Sequence, residues 1–325
     1  MRMINDSAEE ATDLTASAYC GEKTERGAPG EDGLKNTDPQ RDQIAGEMIG
    51  EQSGDMPTEE LISSRFLFEP GIFTVQGDRP VQQDRFLHLS RDGLVFAAVL
   101  DGMGGMNGGE KAAECAREVL RKRFETSPPE PDMTGVEDWF RETFQQADRA
   151  AAELMGPDGS PLRGGSTVAA VLLKDGKYAF GSVGDSRIYL VRDGGIKVLT
   201  EAHNYFLRLN ELLSRGEISD REYQAESVRG EALISFLGMG GLTMIDTGLS
   251  DEPLKAGDCL ILCSDGIYRS LSSEQILALL EESGGSAALA ALRLCSHACR
   301  LSRLLRISQD NATAVVLGKP ATPPL

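Results

Sequence analysis

The chain has 325 residues, 40% of them hydrophobic, and 51 acidic against 33 basic residues give a formal net charge of −18. This charge argues against a general nucleic-acid binder, which needs positive surface to meet phosphates. The longest apolar runs, Leu94–Leu100 and Val168–Leu173, are far shorter than the roughly 20 residues of a membrane-spanning helix. No apolar signal sequence is visible, and the six cysteines are too sparse for a disulfide scaffold. We therefore expect a cytoplasmic protein with reduced thiols and no membrane span.

The start of the chain differs from the rest in charge and texture. Residues 1–60 contain 15 acidic and 5 basic residues, a single aromatic residue (Tyr19) and no apolar periodicity. Such a segment buries too little apolar surface to offset its chain entropy. We predict a disordered acidic N-terminal tail over 1–65, a folded domain over 66–318 and a short C-terminal tail over 319–325.

From Phe66 onward, short apolar runs alternate with segments in which apolar residues recur at helical spacing. The predicted strands are, in chain order, 71–76, 84–89, 94–100, 166–174, 177–183, 187–191, 196–199, 242–247, 259–264 and 312–317. The predicted helices are about 110–124, a second one opened by a capping box at 134–137, then 273–282 and about 287–305.

The connections between these elements indicate how the strands pair. Asp175-Gly176 and Asp193-Gly194-Gly195 each separate two apolar runs, which is a strong hairpin signal. Few strands are joined by a single helical crossover. The order therefore predicts an α+β fold with antiparallel sheets and helices on the outside, and it argues against a doubly wound parallel sheet.

Four aspartates share one setting beside predicted core strands. Asp101 and Asp265 each follow an apolar strand and precede a glycine, Asp310 leads into the last strand, and Asp84 opens the second. A carboxylate at the rim of a buried sheet is poorly solvated and needs a counter-charge. Carboxylates and water are the ligands that Mg²⁺ and Mn²⁺ prefer. The four positions together predict a shared metal site.

The segments around these aspartates resemble the metal-dependent type 2C serine/threonine protein phosphatases, the PPM family, in the form of its bacterial members. The matching segments occur in the family's order and extend roughly from Phe66 to Leu317. They are Gly77–Asp84, Val99–Gly105, Gly165–Thr167, Gly184–Arg187, Leu199–His203, Ser264–Gly266 and Asp310–Asn311.

The resemblance implies a fold and a reaction. The fold is a four-layer αββα sandwich, in which two antiparallel sheets pack face to face and are flanked by helix pairs, and 66–318 is its catalytic domain. The reaction is hydrolysis of phosphoserine and phosphothreonine by direct attack of a water that bridges two divalent metal ions. The implied partners are phosphoproteins and a cognate serine/threonine kinase.

The resemblance also implies a metal-ligand set. Asp101 would bridge two ions, either Mn²⁺ or Mg²⁺, with the backbone carbonyl of Gly102 as a further ligand. Asp265 and Asp310 would bind one of these ions, and Asp84 would hold metal-bound water on the other side. These aspartates are therefore both the metal ligands and the catalytic residues that the resemblance implies.

Two further residues receive roles in the same way. Asp185 would form a third, weaker metal site with Asp265, and Arg79 would bind the substrate phosphate, because a guanidinium offers paired donors to phosphate oxygens. Two positions depart from the family's pattern. Gln82-Gln83 stands where the family usually has Asn followed by Glu or Gln, and Met103 stands where animal members carry a histidine. If Gln83 replaces a water-binding glutamate, we expect weaker metal affinity on that side. With Met103 in place of the histidine, the leaving-group proton must come from water or another group; His203 is a candidate, but a structural role for it is favoured.

Two alternatives stay open at this stage. The first is a catalytically weak or inactive phosphatase-like binding module, whose signature would be the loss of a metal aspartate. The second is a dinucleotide-binding enzyme, because Gly102, Gly104 and Gly108 follow an apolar strand and lead into a helix. Asp101 would then point a negative charge at the pyrophosphate, which disfavours that second function.

Overall fold

Two five-stranded antiparallel sheets form the centre of the fold in the computed structural model, which describes residues 70–105 and 108–318. The tails predicted over 1–65 and 319–325 lie outside the described residues. The first sheet contains, in spatial order, β1 (Gly71–Val75), β12 (Ala312–Gly318), β11 (Cys259–Cys263), β8 (Arg187–Arg192) and β9 (Gly195–Val198). The second contains β10 (Asp246–Leu249), β7 (Lys177–Val183), β6 (Val168–Lys174), β3 (Leu94–Leu100) and β2 (Arg85–Arg91).

A short ladder and the helices complete the described part of the fold. The ladder pairs β4 (Gly102–Met103) with β5 (Gly165–Ser166). The helices are α1 (Gly108–Thr126), α2 (Val136–Ala152), α3 (Tyr205–Ser214), α4 (Asp220–Glu226), α5 (Asp265–Tyr268), α6 (Ser273–Glu281) and α7 (Ala287–Leu305). A 3₁₀ turn, Ser227–Arg229, follows α4.

Three hydrophobic layers separate four layers of secondary structure. Helices α1 and α2 cover the outer face of the second sheet, where Phe96 stacks on Phe124 and meets the edge of Trp139. The two sheets meet through a second layer that includes Val171 and Leu260. Helices α6 and α7 cover the outer face of the first sheet. This is the predicted αββα sandwich.

Strand β3 shows why its sequence is apolar at every position. Successive side chains of a strand point to opposite faces of the sheet. Ala97 and Val99 point into the layer between the sheets, and Phe96, Ala98 and Leu100 point toward the helices. Because both faces are covered, the strand needs apolar residues throughout. It ends at Leu100, directly before Asp101.

The predicted turns and caps have mixed outcomes. Asp175 and Gly176 both have positive φ, at 51° and 82°, as a two-residue hairpin turn requires. The capping box at 134–137 is wrong, because α2 begins after Gly135, which has φ 68° and provides no side-chain cap. The strand predicted over 242–247 instead runs from Asp246 to Leu249.

Within 70–105 and 108–318, no helix has the length and apolar character needed to cross a bilayer.

Candidate metal centre

The strand registers bring two of the predicted aspartates together at one edge of the second sheet. The ladder between β2 and β3 begins with the pair Arg85 and Leu100. Asp84 immediately precedes this pair and Asp101 immediately follows it, so the two carboxylates stand opposite each other just beyond the ladder. The antiparallel direction of β2 and β3 thus explains why residues 17 positions apart in sequence become neighbours.

The first sheet contributes three more aspartates at the same edge of the sandwich. Cys263 pairs with Arg187 on one side and with Ala314 on the other, near the end of β11. Strand β11 ends there, and β8 and β12 begin there. An aspartate lies close to each of these three strand ends. The aspartates just beyond these pairs are Asp185, Asp265 and Asp310.

The raised pKa of Asp101 shows that the negative charges of the other four aspartates act on its carboxyl group. Burial is the largest cause that raises the pKa of Asp101 well above its usual range. The remaining causes are the negative charges of four neighbours, which are Asp84, Asp265, Asp185 and Asp310. Like charges disfavour ionisation of one another, so the cluster favours cations that can neutralise it.

Asp84 is the most deeply buried of the four aspartates at the predicted shared site. Its Oδ2 accepts hydrogen bonds from Ser264 Oγ and Thr313 Oγ1, both at 2.7 Å. Its Oδ1 is buried and has no hydrogen-bond partner. Burial raises the pKa of Asp84 to about 6, although the two hydroxyls act in the opposite direction. A buried carboxylate oxygen without a partner is costly, and a cation or an ordered water would satisfy it.

Two arginines form ion pairs with aspartates of the cluster. Arg79 Nη2 contacts Asp310 Oδ2 at 2.5 Å, and Arg269 Nε contacts Asp265 Oδ2 at 3.0 Å. Burial raises the pKa of Asp265 to about 7 despite the opposing charge of Arg269. Among the described residues, no three His, Cys, Asp or Glu side chains are arranged to hold one ion together.

The donor set nevertheless fits hard divalent cations in its chemistry. Carboxylate oxygens and a backbone carbonyl are what Mg²⁺ and Mn²⁺ bind, and Asp84 Oδ1 is an orphaned acceptor in that set. The ion pair between Arg79 and Asp310 is an exchangeable contact, because the two side chains keep 47% and 32% of their surface exposed. The structure therefore brings the predicted ligands together, and their coordination of metal stays a prediction.

Close backbone packing explains the glycines that follow Asp101. A Cβ atom added to Gly102 would lie 2.4 Å from the carbonyl O of Gly109 and 2.7 Å from that of Gln83. Only glycine fits where the chain leaves β3 and turns back against the start of α1. Gly102 also pairs with Ser166, which ties this turn to β5.

Three of the four residues that hold the aspartates in place lie in the matched motif segments, but the sequence assigns a role to none of the four. Thr167 and Ser186 share a hydrogen bond of 2.7 Å below Asp101, and Ser264 and Thr313 hold Asp84. Their only signal is position, since Ser186 and Ser264 each stand directly beside a motif aspartate. The bridging contacts of Arg269 had no signal, because they depend on three segments meeting in space.

Two motif residues are engaged by the backbone. Gln83 Nε2 donates a hydrogen bond to the carbonyl O of Gly104 at 3.2 Å. The side-chain amide thus stabilises the loop and adds no negative charge to the site. His203 is buried, and its Nδ1 accepts a hydrogen bond from the backbone N–H of Gly184. This contact supports a structural role for His203.

Comparisons of sequence and of structure with known proteins point to the same family. The family model described as protein phosphatase 2C matches residues 76–306. A serine/threonine phosphatase, stp, from Listeria monocytogenes is 30% identical over 193 residues, which are 59% of this chain and 74% of that protein. Among solved structures, the catalytic domain of the serine/threonine protein phosphatase PstP in complex with two manganese ions is 26% identical, with TM-score 0.58 over 78% of this chain and 99% of that one.

A more distant structure supports the fold alone. The serine/threonine phosphatase Stp1 from Staphylococcus aureus is 22% identical and has a TM-score of 0.64, covering 84% of this chain and all of that one. The sandwich and its helix layers are therefore shared with both structures.

Proposed function

The chain belongs to the protein phosphatase 2C family, and from that membership we propose that it is a serine/threonine phosphatase that hydrolyses phosphoserine and phosphothreonine with two divalent cations. The observation that carries the proposal is the convergence of five carboxylates, from the ends of both sheets, beside the guanidinium of Arg79. Asp101, Asp265, Asp310 and the carbonyl of Gly102 would hold the cations. Asp84, whose Oδ1 lacks a partner, would accept hydrogen bonds from their water ligands.

The two cations, Mn²⁺ or Mg²⁺, would lower the pKa of water and neutralise charge at phosphorus. Arg79 would bind the substrate phosphate, since its side chain is 47% exposed and lies against Asp310. A phosphate dianion competes well for a guanidinium, because the paired donors match two of its oxygens. Arg79 thus would orient the phosphoryl group over the carboxylate cluster.

The proposed partners follow from this reaction. They are proteins that carry phosphoserine or phosphothreonine, together with the kinase that phosphorylates them. The described cysteines are free thiols, Cys259, Cys263 and Cys295 being buried, which fits the reducing cytoplasm that we propose as its compartment.

Phosphate release from a phosphothreonine peptide tests the proposal. We expect turnover with Mn²⁺, none with chelator, and a near-complete loss in Asp101→Asn, which removes the charge shared by both cations. Asp138→Asn is the matched control, because Asp138 is an exposed helix residue remote from the cluster. A wild-type chain that binds Mn²⁺ and phosphopeptide without turnover would be the phosphatase-like binding module instead.

A further inference from the structure

Arg269 lies at the meeting point of three carboxylates from three separate segments. It directly follows α5, and its Nε contacts Asp265 Oδ2, one helical turn earlier, at 3.0 Å. Its Nη2 lies 3.5 Å from Asp185 Oδ2 and 3.4 Å from Glu231 Oε2. Asp185 belongs to the turn between β7 and β8, and Glu231 belongs to the long connection between β9 and β10.

Asp185 and Asp265 are the two residues that the family resemblance assigns to a third, weaker cation. A divalent cation shared by these side chains would lie about 2.0–2.6 Å from a carboxylate oxygen of each. The guanidinium of Arg269 already contacts the Oδ2 atoms of both. The guanidinium and a divalent cation would compete for the same two oxygens, because two cations cannot share that space without strong repulsion.

The surroundings of Asp185 reinforce this arrangement. Asp185 is 5% exposed, and burial together with the negative charge of Asp185 raises the pKa of the neighbouring Tyr268. The Tyr268 ring in turn lies under the guanidinium of Arg187, 3.8 Å from its centroid. Asp185 is thus neutralised and oriented by groups of the chain itself.

The contact with Glu231 gives Arg269 a second role. The connection 199–245 covers the site edge, where the backbone N–H of His203 donates to the carbonyl O of Gly184 and Leu237 pairs with Ser166. Glu231 lies between these two anchors and is 60% exposed. Arg269 therefore links the carboxylate cluster to the middle of the connection.

We propose that Arg269 takes the place of a third divalent cation, so that the chain holds two ions, and that it positions the 199–245 connection through Glu231. The inference rests on the proposed function only for the two-cation site beside it. It assigns Arg269 as a positioning residue and removes Asp185 from the divalent ligands.

Equilibrium dialysis with Mn²⁺ counts the bound ions and tests the first part. We expect two Mn²⁺ per chain in the wild type and in Glu231→Gln, which keeps both aspartate contacts. We expect a third, weaker Mn²⁺ in Arg269→Ala and in Arg269→Gln, where the positive charge is gone. The glutamine variant keeps a long polar side chain and is the fallback if the alanine variant does not fold.

Hydrogen exchange at the amides of 226–234 tests the second part. An ion pair at a partly exposed site contributes about 0.2–1 kcal/mol, so we expect exchange to be roughly 1.4- to 5-fold faster in both Arg269→Ala and Glu231→Gln. Arg141→Ala is the control, since Arg141 lies on α2 and pairs with Asp138.

Three results would overturn the proposal. A third Mn²⁺ in the wild type would show that the guanidinium does not exclude it. An unchanged count in folded Arg269 variants would show that another group limits the number. Unchanged exchange in both variants would remove the link to Glu231. Absence of phosphopeptide turnover with the expected ion counts would contradict the proposed function alone.

Discussion

Thr167 and Asp101 hold each other through two reciprocal hydrogen bonds. The backbone N–H of Asp101 donates to Thr167 Oγ1 at 3.0 Å, and the backbone N–H of Thr167 donates to the carbonyl O of Asp101 at 2.9 Å. Thr167 Oγ1 also shares a hydrogen bond of 2.7 Å with Ser186 Oγ. The end of β3, the start of β6 and the turn before β8 are thereby joined directly beneath the carboxylate cluster.

Thr167→Val should weaken both the fold and the metal site. The valine has nearly the same shape but leaves a buried N–H and a buried hydroxyl without partners, which costs about 1–3 kcal/mol. Loss of such a supporting contact commonly costs about 10- to 100-fold in metal affinity. Urea denaturation and Mn²⁺ titration would measure the two effects. Thr167→Ser keeps the hydroxyl and should retain most of the metal affinity; equal losses in both variants would assign the effect to packing.

Arg79→Ala should separate phosphate binding from metal binding. Removal of the guanidinium deprives the substrate of its paired donors, so KM for a phosphothreonine peptide should rise by about tenfold or more. The same change releases Asp310 from its ion pair, so Mn²⁺ affinity should be unchanged or higher. Steady-state kinetics with Mn²⁺ titration would show the split.

Arg91→Ala is the matched control for Arg79. Arg91 ends β2, roughly 20 Å along the strand from Asp84 at about 3.3 Å per residue, and is also exposed. It should alter neither parameter. A loss of Mn²⁺ affinity in Arg79→Ala would contradict the assignment of Arg79 to the phosphate.

Asp148→Asn should destabilise the loop that supports β5. The buried carboxylate of Asp148, on α2, accepts backbone hydrogen bonds from Gly238, Gly240 and Leu242 at 2.8–3.2 Å. An asparagine turns one acceptor oxygen into a donor that faces these N–H groups. Hydrogen bonds to a charged group contribute about 1.5–3 kcal/mol, and we expect a loss of that size in the free energy of unfolding.

Asp138→Asn provides the comparison for Asp148 on the same helix. Asp138 is 80% exposed and pairs with Arg141, so its replacement should change the free energy of unfolding by no more than about 0.5 kcal/mol. Equal stability of the two variants in urea would show that the 238–242 loop does not depend on Asp148.

The layers of this fold could be predicted from local patterns, whereas some boundaries could not. Strand β3 is apolar at every position, and the Asp175-Gly176 turn fixes the hairpin of β6 and β7, so both follow from the sequence. The strand predicted from Leu242 begins only at Asp246, because the N–H of Leu242 is bonded to Asp148 rather than to a neighbouring strand. That contact joins residues 94 positions apart, and no periodicity encodes it.

The same limit applies to the site. The aspartates stand at strand ends, so their convergence follows from antiparallel pairing and could be predicted. The partner of each carboxylate depends on side chains from other segments. Ser264, just after β11, and Thr313, on β12, reach Asp84 from the opposite sheet. Arg269, just after α5, contacts Glu231 in the long connection. Such contacts are decided by packing in three dimensions.

The carboxylate cluster should make the metal-free protein less stable as pH rises. An aspartate has a pKa of about 3.9 in an unfolded chain. In the fold, burial raises the pKa of Asp84 to about 6 and that of Asp265 to about 7. The folded state therefore binds more protons than the unfolded state between pH 4 and pH 7. The stabilisation is complete below about pH 4 and is lost as pH rises through these values.

In chelator, we therefore expect the Tm of the wild type to fall between pH 5 and pH 8, and saturating Mn²⁺ to reverse most of the fall. For Asp84 and Asp265 together, the loss between pH 5 and pH 8 is roughly 4 kcal/mol, which corresponds to about 8–16 °C for a domain of this size. Burial lowers the pKa of His88 and His203, which acts in the opposite direction up to about pH 6.5.

Asp101→Asn separates the contribution of the carboxylates from that of the histidines, because it keeps both histidines and removes the central negative charge. In chelator at pH 8 this variant should melt above the wild type, and its Tm should depend less on pH, although it no longer responds to Mn²⁺. Differential scanning calorimetry of both proteins would measure this. A variant that melts below the wild type in chelator at pH 8 would show that repulsion within the cluster does not limit stability.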